Sequence, residues 1–193
     1  MKERIVSVDI FRGLTIALMI LVNTPGTWEA VYPPLRHADW HGYTPTDLVF
    51  PFFLFIVGTS IVFAYKNKQP GPAVYRKIVV RTLKLIGLGL FLGAFLVTAP
   101  FILPFEEIRF PGVLQRIGVV FFAASILYLN FNWKVLLGIA TTILLGYWIW
   151  MGFIPLEGQA PTFDRAANIW AIYIDLNILG THMYKPDYDP EGL

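Results

Sequence analysis

The chain has 193 residues, of which 56% are hydrophobic, 16% aromatic and only 15% charged, with a net charge of +2. Soluble domains carry roughly 25% charged residues, so this composition argues against a soluble globular protein, and the small net charge argues against a nucleic-acid binder. The absence of cysteine excludes disulfides, zinc–thiolate sites and a cysteine nucleophile.

The apolar residues fall in blocks, not in alternation, which is the pattern of membrane-spanning helices. The first block, Val8–Asn23, begins at SVDIFRG and carries Asp9 and Arg12 at its head. No small-residue cleavage site follows it, so a removable signal peptide is not expected. Leu48–Tyr65, Leu85–Phe105, Ile117–Trp133 and Val135–Leu156 contain no Lys, Arg, Asp or Glu. A span needs roughly 20 mostly apolar residues. The reading is therefore all-α: a multi-pass transmembrane helical bundle with about five spanning helices. With the N-terminus inside, ten basic residues fall on the inner segments and five on the outer ones, while eleven of the thirteen acids lie outside. Basic residues concentrate on the cytoplasmic side of membrane proteins, so this orientation is expected, in a cell inner membrane.

Two stretches of the chain are expected to differ in kind. Residues 1–156 form the bundle, with an outer loop at 23–47 that carries the chemistry. Residues 157–193 turn polar and read as an outer loop leading to a C-terminal half that this chain lacks.

The loop at 23–47 holds His37 and His41, beside Arg36, Asp39 and Trp40. A neutral imidazole exchanges protons near neutral pH. His37 is thus either a catalytic base or an ordinary histidine of a wet interfacial loop. Two histidines and Asp39 lack a further ligand, so no metal site is expected. Asn23 ends the first block ahead of Pro25-Gly26. Its amide is either a helix-end cap or a donor to a carbonyl oxygen that turns negative during acyl transfer. Thr44-Pro45-Thr46-Asp47 has the form of a helix start, with a hydroxyl at the cap, proline next and a carboxylate at the third position. Pro51 would then bend the helix.

Arg76, Lys77, Arg81 and Lys84 follow the inner turn KNKQPGP, and three of them share a helix face at i, i+4 and i+7. They either hold phosphates of a nucleotide-bearing cofactor or reflect topology alone. Arg12 and Arg116 lie at membrane depth, where a charge requires a partner or a polar cavity. Either is a candidate substrate contact, or the binding site of a non-enzymatic carrier of a small polar solute. No phosphate-cradling glycine loop, G-x-S-x-G elbow or H-E-x-x-H motif is present. Asn130-Phe131-Asn132 predicts a very short inner turn between antiparallel helices, and Trp133, Tyr147, Trp148 and Trp150 read as interfacial anchors.

Four blocks, RIVSVDIFRGLTIALMILVNTPG, LRHADWHGYTPTDLVFPFFLFIVGTSI, RFPGVLQRIGVVFF and HMYKPDYDPEGL, together resemble the heparan-alpha-glucosaminide N-acetyltransferase family. The resemblance covers nearly the whole chain in the family's order. It implies a membrane enzyme that moves acetyl from acetyl-CoA, without a metal, to an amino sugar or glycan across the bilayer. His37 in RHADWHG matches the catalytic histidine of the family's KHAxWNG-like block, and Asn23 in VNTPG matches the asparagine of its VNYGG-like block. Trp40 and Asp47 would frame the acceptor, and Arg76, Lys77, Arg81 and Lys84 the nucleotide. His41 stands where animal members carry Asn, and Thr24-Pro25-Gly26-Thr27 replaces their glycine-rich turn. The partners implied are the lipid bilayer and the glycan, with a homodimer allowed.

Overall fold

A computed structural model of the chain describes residues 5–39, 41–95, 101–163 and 169–184. Trp40 lies outside the described residues. Among them the regular structure is entirely helical: α1 (Val6–Asn23), α2 (Val49–Tyr65), α3 (Pro72–Ala94), α4 (Val113–Asn130), α5 (Trp133–Phe153) and α6 (Ile169–Ile178). Short 3-10 turns fill Pro33–Leu35, Thr46–Leu48 and Phe105–Glu107. Among the described residues four stretches are long and apolar enough to cross a membrane: Val6–Asn23, Thr46–Tyr65, Val113–Asn130 and Trp133–Phe153. The molecule is thus a multi-pass helical membrane protein. Its long helices turn wide apolar surfaces outward, including Leu14, Phe55, Leu83, Leu137 and Leu144, as helices bounded by lipid do.

The chain divides into two compact units, Met1–Ala64 and Tyr65–Leu193. In the first, Phe11 of α1 meets Phe52 and Phe55 of α2 edge to face, at centroid distances of 5.0 and 5.9 Å. Such geometry sets the electropositive ring edge against the neighbouring π face. Thr15 and Val22, seven residues apart on one face of α1, are buried. The Thr15 hydroxyl donates back to the Phe11 carbonyl at 2.8 Å, so its polarity is satisfied within the helix.

In the second unit α3 and α4 pack antiparallel over small residues. Gly118 sits against Ile86, Leu85 and the Thr82 carbonyl, where a Cβ would come within 3.1 Å of the Ile86 side chain. A Cβ on Gly89 would run into Gln115. Ile78, Thr82, Phe121 and Ser125 complete the seam, all buried. Small residues let two backbones approach closely, which is the main source of helix affinity where lipid removes the hydrophobic drive. At the far end of the pair the Tyr75 hydroxyl donates to Asn130 Oδ1 at 3.1 Å. Asn132 then caps α5, its Oδ1 accepting from the backbone N–H groups of Lys134 and Val135, both at 3.1 Å. Only Phe131 and Asn132 separate α4 from α5, the short turn that the sequence foretold.

Three features depart from the sequence reading. The third apolar block does not form one helix over Leu85–Phe105. The helix begins at Pro72, carries the four cations between Arg76 and Lys84 and ends at Ala94, after which Leu103 N–H returns to the Ala94 carbonyl at 2.9 Å. Proline at positions 100 and 104 removes two ladder donors from the block, so hydropathy overstated its reach. The polar tail contains a further apolar helix, α6, whose Trp170 indole donates to the Ile154 carbonyl at 2.7 Å and whose ring meets Trp150 edge-on at 5.4 Å. Finally, Pro51 occupies the third position of α2, where a missing N–H breaks no bond inside the helix, and a 3-10 turn precedes it.

Candidate active site

The loop between α1 and α2 is tied to itself by polar contacts. Arg36 uses its guanidinium for this purpose, Nε donating to the Val31 carbonyl at 2.9 Å and Nη2 to the Glu29 carbonyl at 3.3 Å. The chain reverses at Gly42, whose φ of 97° lies in the left-handed region that a side chain disfavours. That reversal returns Thr44 to the start of the loop, its hydroxyl within reach of the Arg36 carbonyl at 2.6 Å and of Asp47 Oδ2 at 3.0 Å.

Asp47 is where these threads meet. It lies in the 3-10 turn Thr46–Leu48, which packs against α1 within the first unit. Its Oδ2 accepts from the backbone N–H groups of Thr44 at 2.8 Å and Ala38 at 3.1 Å. The bond to Thr44 N–H is half of the capping box read from TPTD. The other half is missing, because the Thr44 hydroxyl turns toward Arg36. Asp47 Oδ1 is free of these and lies 2.6 Å from His37 Nδ1. A carboxylate offers only acceptors, so Nδ1 carries the proton and, in the neutral ring, Nε2 presents a lone pair. Among the described residues no hydrogen bond occupies Nε2, and the His37 side chain is 73% exposed against 27% for Asp47. The arrangement is a buttressed imidazole: a carboxylate held by two backbone donors fixes its tautomer and its ring, and the reactive nitrogen faces outward. The sequence places Asp47 near the acceptor; the structure adds its partnership with His37, whose signal in the chain is a Gly turn between the two residues, ten positions apart.

The other expected site residues are placed as follows. Asn23 is the last residue of α1 and exposed, and its Nδ2 donates to the Met19 carbonyl at 2.9 Å. One amide N–H thus closes its own helix end, which leaves the second N–H as the donor available to a ligand. Arg12 lies 3.6 Å from Asp9 one turn earlier, so the charged head of α1 carries its own counter-ion. Arg116 lies half-buried in the first turn of α4.

In the second unit Arg76, Lys77, Arg81 and Lys84 line, with Ala73 and Val80, a shallow groove of about 570 Å³ along the exposed face of α3. The four cations do not share one role. The Arg81 guanidinium lies 4.5 Å from the centre of the buried Phe121 ring on α4, which anchors it to the seam. Arg76, Lys77 and Lys84 remain on the surface. Among the described residues, no three His, Asp or Glu side chains gather as a metal site would require.

A multi-pass helical protein with a carboxylate-buttressed imidazole at the head of one span is the class that fold and loop define. The chain belongs to the heparan-alpha-glucosaminide N-acetyltransferase family: the model of that family's catalytic region matches residues 4–190. It is 32% identical to the heparan-alpha-glucosaminide N-acetyltransferases of Homo sapiens and Mus musculus, over 100% and 99% of this chain. The chain spans 36% of the length of each of these relatives.

Proposed function

We propose that this chain carries the catalytic loop of a transmembrane N-acetyltransferase, which takes acetyl from acetyl-CoA on the cytoplasmic side and delivers it to an amino sugar or glycan on the outer side. The observation that carries the proposal is the 2.6 Å pairing of His37 Nδ1 with Asp47 in a chain of this family. His37 Nε2 takes a proton from the acceptor's ammonium group. The freed amine attacks the thioester carbonyl, the carbon–sulfur bond breaks, and the departing CoA thiolate takes the proton that the newly acylated nitrogen sheds. Asp47 offsets the positive charge that the ring gains. In the two-step variant Nε2 itself attacks the thioester and expels CoA as its thiolate, and the acetyl-imidazole then passes its acetyl to the amine, whose proton leaves as the ring is freed. The free N–H of Asn23 donates to the carbonyl oxygen as it turns negative. Arg76, Lys77 and Lys84 hold the phosphates of CoA by charge-assisted hydrogen bonds, with Arg81 fixing the helix face that presents them. Trp40 contributes to acceptor binding.

The rival reading, a carrier that binds solute on intramembrane charge, loses its strongest feature because Arg12 already has Asp9 beside it. The test uses the full-length protein in sealed vesicles, with radiolabelled acetyl-CoA on one side and glucosamine on the other. Acetylated glucosamine should form with the wild type and not with His37→Ala. Undiminished product from a well-inserted His37→Ala protein refutes the catalytic assignment. Glucosamine flux that ignores acetyl-CoA favours the carrier.

A further inference from the structure

His182 has no part in the chemistry above, yet its ring is held as firmly as that of His37. Its Nδ1 lies 2.8 Å from the Ile108 carbonyl, and its own carbonyl accepts from Phe110 N–H at 3.1 Å. The imidazole lies flat on Phe110, with centroids 3.9 Å apart and planes 9° from parallel. Phe105 meets it edge-on at 5.2 Å. A backbone carbonyl can only accept, so Nδ1 carries the proton and, in the neutral ring, Nε2 is a fixed lone pair, with no hydrogen bond to it among the described residues. The rings around it are not core residues: Phe105 is 65% exposed and Phe110 36%. Tyr184, 62% exposed, lies under the Arg109 guanidinium at 5.1 Å.

We infer that the Phe105–Phe110 segment and the chain just after α6 form a saccharide-binding platform, with His182 Nε2 as its hydrogen-bond acceptor. A pyranose ring offers two kinds of surface, an apolar C–H face and a rim of hydroxyls. Exposed aromatic rings suit the first, and an oriented lone pair suits the second. An acyl chain has no use for a fixed acceptor, and a phosphate has none for three carbon rings. The inference rests on the reading of the acceptor as an amino sugar, but binding is measurable without transfer.

The experiment uses full-length protein in nanodiscs without acetyl-CoA and a linear trisaccharide of β-linked glucosamine, followed by saturation-transfer NMR and calorimetry. The wild type should bind the trisaccharide. His182→Phe, which keeps the stacking but removes the acceptor, should weaken binding about 5- to 10-fold. Phe105→Leu replaces an exposed ring without touching the backbone ties and should weaken it about 3- to 10-fold. It also covers the case in which His182→Phe does not fold. Trisaccharide affinity unchanged in the folded platform variants, or no binding by the wild type, overturns the platform. If the wild type binds and never acetylates, the transfer reading fails and the platform stands. If it acetylates while platform variants keep both affinity and KM, the reverse holds.

Discussion

His37 and His182 use one device to different ends. Each donates Nδ1–H to a fixed oxygen and so leaves Nε2 as a lone pair. For His37 the oxygen belongs to a carboxylate and the ring stands in the open. For His182 it belongs to a peptide carbonyl and the ring lies on a phenyl face. A carboxylate can offset a positive charge on the imidazole, and a neutral carbonyl does so far less well. The first ring is therefore equipped to accept a proton and release it, and the second to hold a donor in place. Orientation alone does not suit an imidazole to proton transfer; the charge of the group behind it does.

Exchange of each ring for an amide gives the largest contrast. His37→Gln should lower acetyl transfer by about 10³- to 10⁴-fold in kcat, the scale of a lost general base, whereas His182→Gln should act on acceptor KM and spare kcat. Initial-rate kinetics on full-length protein checks both, and equal kcat losses would erase the distinction. Asp47→Asn comes next. It keeps the shape but can offer an N–H to Nδ1 and so turn the ring to the wrong tautomer, which should reduce kcat about 10²- to 10⁴-fold. Ring ¹⁵N shifts of His37 should report the tautomer change directly. Gly42→Val forces a branched side chain into a positive φ, at a strain of about 1–3 kcal/mol. Loosening of the loop should then appear as a roughly 10-fold loss of transfer and faster hydrogen exchange at Ala38 and Thr44, with no change in trisaccharide binding. Thr44→Val is the mildest. It removes the hydroxyl but keeps the N–H to Asp47, and should lower transfer about 2- to 5-fold.

Much of this architecture could be read from the chain alone, because a bilayer simplifies the problem: hydropathy carries the helices and their order. Where the reading fell short, the reasons are specific. Leu85–Phe105 is apolar throughout, and apolarity does not reveal where prolines end a helix. NIWAIYIDLNIL reads as polar tail because Asp175 sits in it, yet that residue is buried in α6. Local pattern places Asp47 at the head of a helix and is silent on its bond to His37. Local pattern accounts for the N–H of Thr44, three residues away, whereas the bond across ten residues depends on the Gly42 reversal and on carbonyls gathered by Arg36. The same limit applies to Arg81. Its place on a basic face followed from periodicity, and its anchorage on Phe121 is a matter of packing between two helices.

Asp47 belongs at once to the ring's support and to the 3-10 turn that leads directly into α2. A tilt or slide of that helix therefore shifts the carboxylate relative to the imidazole, and a slip of less than 1 Å would lengthen a 2.6 Å bond beyond useful range. On the proposed role of His37, the base would be armed only while the span beneath it is seated, and bilayer thickness would become a lever on the chemistry at its rim.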